Sequence, residues 1–152
     1  MRILVDTNIL VRIADSLHAS HQLAADAVQT LANDRHELVL VPQLIYEFWS
    51  VATRSTTSNG LGKSPAYAES LIPQFCRVFR LLRDERSIYE TWLQLVTQYQ
   101  VCGVKSHDTR LAAAMLRHDI THLLSFNASD FRRYPHVSGL EPEKIMAPPD
   151  LN

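Results

Sequence analysis

Apolar residues fall in two rhythms along this chain. Short unbroken runs, Ile3-Leu4-Val5 and Leu38-Val39-Leu40-Val41, read as strands buried on both faces, the habit of parallel sheets. Between the runs, apolar residues recur every three or four positions. Ile9, Leu10, Ile13 and Leu17 predict a helix that Asp6, Thr7 or Asn8 can cap. Leu23, Ala24, Ala27, Val28 and Leu31 predict a second over about 21–33. The strand at 37–41 leads into a helix opened by Pro42, with Leu44, Ile45, Phe48, Trp49 and Ala52 on one face and Glu47 among them.

Residues 55–64, Ser-Thr-Thr-Ser-Asn-Gly-Leu-Gly-Lys-Ser, read as the one flexible segment. A helix from about Pro65 follows, carrying Tyr67, Ala68, Leu71, Ile72 and Phe75. Residues 78–82 read as a short edge strand, 85–101 as a helix with Ile88, Trp92, Leu95, Val96 and Tyr99 as its stripe, and 108–118 as a further helix. Residues 120–125 and 137–140 read as strands. The alternation predicts an α/β fold: a three-layer sandwich with a central, mainly parallel sheet, as one domain over 1–152. Ligands in such sheets bind beyond the carboxyl ends of the strands.

Composition agrees with a folded domain. The 152 residues are 46% hydrophobic and 20% charged, which argues against a disordered chain. A net charge of −1 excludes nucleic-acid binding by bulk positive charge, but not by a local patch with a bound cation. The basic third is 54–86, with Arg54, Lys63, Arg77, Arg80, Arg83 and Arg86; it is either a solvated face or a track for a nucleic-acid backbone. Cys76 and Cys102 form no CxxC and no zinc framework, and read as two buried thiols. With no stretch of 18 apolar residues and no signal-peptide pattern, a cytoplasmic protein without a membrane partner is expected.

Four acids sit in odd places. Asp6 ends an apolar strand, Glu47 interrupts an apolar helix face, Asp108 begins an alanine-rich helix, and Asp130 follows a strand. Each has an ordinary explanation as a cap, a solvated residue or a loop stabiliser. Together they fall where the fold places its crevice. Carboxylates about 4 Å apart repel by about 4 kcal/mol at an effective dielectric of 20. A cluster of them calls for protons or a cation, and oxygen-only donors point to Mg²⁺ or Mn²⁺. Such a site suits phosphodiester hydrolysis.

The motifs carry a resemblance. Asp6-Thr7-Asn8 after an N-terminal strand resembles the opening of the PIN (PilT N-terminal) domains. Ser106-His107-Asp108-Thr109-Arg110-Leu111-Ala112-Ala113-Ala114 resembles their central acidic helix, and Ser125-Phe126-Asn127-Ala128-Ser129-Asp130-Phe131 their late Thr-x-Asn-x-x-Asp-Phe motif. Glu47 falls where their early glutamate is expected, and 137–145 resembles their closing strand and proline turn. Within the family the chain looks most like the VapC-type toxins of toxin–antitoxin pairs. That resemblance implies a Mg²⁺- or Mn²⁺-dependent endoribonuclease, a cognate antitoxin that covers the active site, and a homodimer.

By the same resemblance Asp6, Glu47 and Asp108 are the metal carboxylates. The fourth position belongs to Asp130 or to Asn127, which stands at the motif's first acidic or amide position; Ser125 replaces the motif's threonine. Thr7, Asn8, Ser125 and Asn127 support the ligands by hydrogen bonds. Arg110, Arg132 and Arg133, beside the motifs, are candidates for phosphate contact, and His107 for approach to the phosphate or for packing.

Rival readings fail on particular residues. A receiver domain needs an acidic pair where Asp6 stands alone, and a haloacid-dehalogenase-type phosphatase needs Asp-x-Asp where Asn8 is an amide. The scattered histidines lack H-E-x-x-H spacing, and Gly60-x-Gly62-Lys63-Ser64 is an incomplete phosphate loop. A small metal-dependent nucleotidase and a catalytically inactive, partner-binding PIN-like domain remain as alternatives. Trp49, Tyr67, Leu71, Phe75 and Trp92 exceed what one small core needs, and predict an interface.

Overall fold

The structure, a computed structural model, describes residues 1–148; the last four residues of the expected 1–152 domain lie outside the described residues. Five strands form one wholly parallel sheet in the order β3-β2-β1-β4-β5. They are β1 (Arg2–Val5), β2 (Glu37–Leu40), β3 (Arg80–Leu81), β4 (His122–Leu124) and β5 (Ser138–Leu140). Seven helices among the described residues complete the α/β sandwich: α1 (Thr7–Ala14), α2 (His21–Asn33), α3 (Pro42–Thr53), α4 (Pro65–Val78), α5 (Arg86–Gln98), α6 (Lys105–Arg117) and α7 (Pro142–Ile145).

The apolar run Ile3-Leu4-Val5 is central and fully buried, paired with β2 on one side and β4 on the other. This register sets Val5 against Leu124, so the next residues of the two strands, Asp6 and Ser125, meet at the carboxyl edge. At the opposite edge Glu37 is clamped by Arg2 (2.8 Å) and Arg80 (2.7 Å), one from each neighbouring strand. These two guanidiniums hold its carboxyl below the usual carboxylate range.

Several expectations are corrected. α1 stops at Ala14, and Leu17, expected on its apolar face, is 96% exposed. Val78 ends α4, which leaves β3 only two residues long, although at the sheet edge as expected. α5 ends at Gln98, because Gln100 turns into the left-handed region. α6 starts at Lys105, three residues early, so Asp108 lies in its first turn rather than at its start. Both cysteines are exposed, and neither forms a disulfide. Phe75 is buried, while Trp49 and Tyr67 stay more than a third exposed.

The run at 55–64 is not loose either. Leu61 and Lys63 donate backbone hydrogen bonds to Val51 and Ala52 (2.9 and 2.8 Å), and Gly62 donates to Arg54 (2.8 Å). Gly60 is required there, since a Cβ would sit 2.0 Å from the Arg54 carbonyl oxygen. A similar close approach of Gly139 to Ala128 lets the 128–131 turn, which carries Asp130, lie against β5.

Candidate active site

Asp6 is the hub. It ends β1 and caps α1, with Oδ1 accepting from Thr7 N at 2.7 Å. Its Oδ2 accepts from Ser125 Oγ at 2.6 Å and Asn8 Nδ2 at 3.2 Å. Ser125 is fully buried and accepts in turn from Asn8 Nδ2 and Asn127 N, both at 3.0 Å. The hydroxyl therefore uses its one donor and both acceptor positions.

Glu47 reaches the same place from α3. The buried Thr7 hydroxyl donates to Glu47 Oε2 (3.0 Å) and toward the Leu44 carbonyl (3.2 Å). Gln43, one turn before Glu47, donates to Glu47 Oε1 at 2.7 Å and to the His107 carbonyl at 2.9 Å. Helical spacing explains this pair: residues four apart share a face. Asp6 and Asp108 line one crevice of about 290 Å³ with Thr7, Asn8, Arg12 and Asn127. Burial pushes the Asp6 carboxyl up to about 6, against the Ser125 and Thr7 hydrogen bonds, and the negative charges of Glu47 and Asp108 push the same way.

Asp108 and Asp130 are joined by a residue that motif reading passed over. Lys105 Nζ lies 2.9 Å from Asp130 and 3.3 Å from Asp108, on side chains that are 31–44% exposed. The Asp130 contact, followed by Asp108, raises the lysine's proton affinity. Its signal was the i, i+3 spacing to Asp108. Arg12 was missed too; it stands one turn after Asn8 on the face that meets the crevice.

The three expected phosphate-contact arginines separate. Arg110 does not line the acid crevice; it is tied to Gln43 Oε1 (3.0 Å) and Asp84 Oδ1 (2.9 Å). Arg132 lines a small cavity of about 130 Å³ with Ser129, Glu141 and Lys144, and Arg133 is exposed. The structure thus gathers Asp6, Glu47 and Asp108, with their supporting Thr7, Asn8, Ser125 and Asn127, and leaves Asp130 at the rim. Among the described residues no three His, Cys, Asp or Glu side chains already stand at a common ligating point.

A PIN domain family model matches residues 3–137. No curated protein sequence matches the chain. Among solved structures it is similar to VapBC2 from Rickettsia felis, bound to a DNA fragment from its promoter, at 16% identity and a TM-score of 0.71; 93% of this chain and 98% of that one are covered. VapBC-1 from nontypeable Haemophilus influenzae is similar at 14% identity and a TM-score of 0.69, with the same coverage. VapC20 of Mycobacterium tuberculosis, a sarcin–ricin-loop-cleaving toxin, is similar at 16% identity and a TM-score of 0.59, covering 80% of this chain and 86% of that one.

Proposed function

The chain belongs to the PIN domain family, and we propose that it acts as a divalent-metal-dependent endoribonuclease, the toxin of a toxin–antitoxin pair. The carrying observation is Asp6: a carboxylate at the carboxyl edge of the central strand, pushed up to about 6 by burial and by the charges of Glu47 and Asp108. Acids gathered against their own repulsion are what a cation site requires. Asp6, Glu47 and Asp108 offer only carboxylate oxygens, so the residues fit Mg²⁺ or Mn²⁺. Such an ion supplies charge neutralisation at the phosphate and a more acidic bound water.

The chain's own residues do the rest. Asp6 and Asp108, which line one crevice, would hold the ion. Glu47, fixed by Thr7 and Gln43, would ligate the ion or orient the attacking water. Asp130 or Asn127 would fill the fourth position. Ser125, Asn8 and Thr7 fix the Asp6 carboxylate, so little ordering is left for the moment of reaction. Arg12 at the crevice and Arg132 and Arg133 on the outer turn contact phosphates. The whole chain serves as one domain in the cytoplasm. The similarity to VapBC assemblies supports a cognate antitoxin as partner, and the loop-cleaving neighbour supports an RNA substrate. Exposed Trp49 and Tyr67 supply apolar surface for a homodimer or for that antitoxin.

The test is cleavage of single-stranded RNA by protein stripped with chelator. No cleavage is expected until Mn²⁺ or Mg²⁺ is restored, and internal fragments are expected then. Cleavage that persists in chelator contradicts the metal. No cleavage with either ion contradicts the ribonuclease, and favours the partner-binding module or the nucleotidase.

A further inference from the structure

A second cavity, of about 420 Å³, opens between α3 and α6, lined by Gln43, Tyr46, Glu47, Ser50, His107 and Arg110. The α3 members stand at i, i+3, i+4 and i+7, one helical face. Glu47 lines this cavity and links it by hydrogen bonds to the acid crevice. Its Oε2 accepts from Thr7, which lines the crevice, and its Oε1 accepts from Gln43, which lines the cavity.

The frame of the cavity is fixed before anything binds. The Gln43 side-chain amide is buried and donates to Glu47 and to the His107 carbonyl while accepting from Arg110. Arg110 is held a second time by Asp84. Two of the five guanidinium N–H groups are used in these bonds. What remains unengaged has a distinct chemistry. Tyr46 is 66% exposed, and its hydroxyl makes no hydrogen bond among the described residues. The side chains of Ser50 and His107 are exposed beside it.

An exposed aromatic face beside a fixed planar cation and small polar groups suits a flat ligand with an apolar face and a polar edge. Nucleobases have that form, and aromatic side chains stack on them whatever the base. We infer that this cavity is a nucleobase subsite: the base of a nucleotide flanking the cleaved phosphate stacks on Tyr46 while Arg110 donates to its edge. The inference rests on the ribonuclease reading and names its substrate as unpaired RNA, because a base inside a duplex cannot enter.

The test compares the parent with Tyr46→Phe and Tyr46→Leu on a short single-stranded RNA and on the same RNA carrying one abasic position at a time. Melting temperatures confirm that the exposed substitutions leave the fold intact. Tyr46→Leu is expected to lower kcat/KM by about tenfold or more, and Tyr46→Phe, which keeps the stacking face, to stay close to the parent. One abasic position should cost the parent a similar factor and Tyr46→Leu nothing further, as expected when two changes remove one contact. A 2-aminopurine at that position should be quenched on binding to Asp6→Asn protein, and not when Tyr46→Leu is added. Cleavage by the parent with Tyr46→Leu equally active overturns the subsite alone, and leaves this face to a protein partner. A parent that cleaves no RNA overturns the ribonuclease reading and the subsite with it.

Discussion

Ser125 Oγ donates to Asp6 Oδ2 at 2.6 Å, joining residues 119 apart in the chain at the ends of neighbouring parallel strands. That bond opposes the effect of burial on the Asp6 carboxyl. Ser125→Ala removes it, and also removes the acceptor for Asn8 and for the Asn127 amide. A loss of about 1–3 kcal/mol in stability is expected for a fully buried, fully used hydroxyl. The Asp6 carboxyl should then titrate above its present value of about 6. Urea unfolding at neutral pH and carboxyl NMR titration check both; an unchanged Asp6 titration would contradict the role given to this bond.

The same carboxyl sets a pH dependence with an unusual sign. Its folded value, about 6, lies above the ordinary 3.8, so the metal-free native state binds a proton that the unfolded chain has already released. The unfolded chain binds fewer protons between these values, and this group's contribution falls as pH rises through that window. The shift from 3.8 to about 6 corresponds to roughly 3 kcal/mol, lost by neutral pH and fully recovered below about pH 4. Divalent ions should reverse it, because they bind the carboxylate and expel the proton. Metal affinity should therefore weaken as pH falls through about 6, as calorimetry in matched buffers would record. Asp6→Asn should remove this component of both profiles.

Lys105 holds Asp108 and Asp130 with a charge of its own. A divalent ion must compete with that ammonium for Asp108. Lys105→Met should tighten Mn²⁺ binding, by up to about fivefold given the solvent screening of such an exposed pair. Lys105→Arg keeps the charge and should stay near the parent. Calorimetric titration decides it: weaker binding in Lys105→Met would contradict the competition.

Behind the acids, Thr109 Oγ1 and Tyr134 Oη lie 2.6 Å apart with both residues buried. Thr109 follows Asp108 on α6, and Tyr134 follows the turn of Asp130, with Tyr99 packed edge-on against its ring. Tyr134→Phe keeps the packing and removes the bond. A cost of about 1 kcal/mol is expected, because Thr109 keeps the Lys105 carbonyl as a partner. A change in unfolding midpoint without a change in denaturant slope would show it.

Local features made the frame of the molecule readable in its sequence. An apolar triplet ending in Asp6, followed by cap residues, places a carboxylate at the mouth of a parallel sheet with no distant information. Pro42 and the four-residue spacing from Gln43 fix where Glu47 points. What escaped reading depends on contacts between distant segments. Arg110 lies inside a motif beside Asp108, yet Asp84, 26 residues earlier, and Gln43, 67 residues earlier, hold it at the cavity lined by Tyr46 and His107. The early start of α6 depends on the left-handed turn at Gly103, which brings Lys105 into the first turn within reach of Asp130. The 55–64 run looked loose by composition, but Gly60 gives it a close approach to the Arg54 backbone that composition does not reveal.

The most direct measurement pairs RNA cleavage with melting temperature, for the parent and Asp6→Asn, across a Mn²⁺ titration. The parent should cleave only with the ion and should gain thermal stability as the ion binds the native state. Without metal, Asp6→Asn should be as stable as the parent or more so, since one charge leaves a repelling cluster. It should gain less from Mn²⁺ and cleave at least about a hundredfold more slowly. Full cleavage by Asp6→Asn, with an unchanged Mn²⁺-induced shift, would contradict a metal-dependent nuclease site built on Asp6.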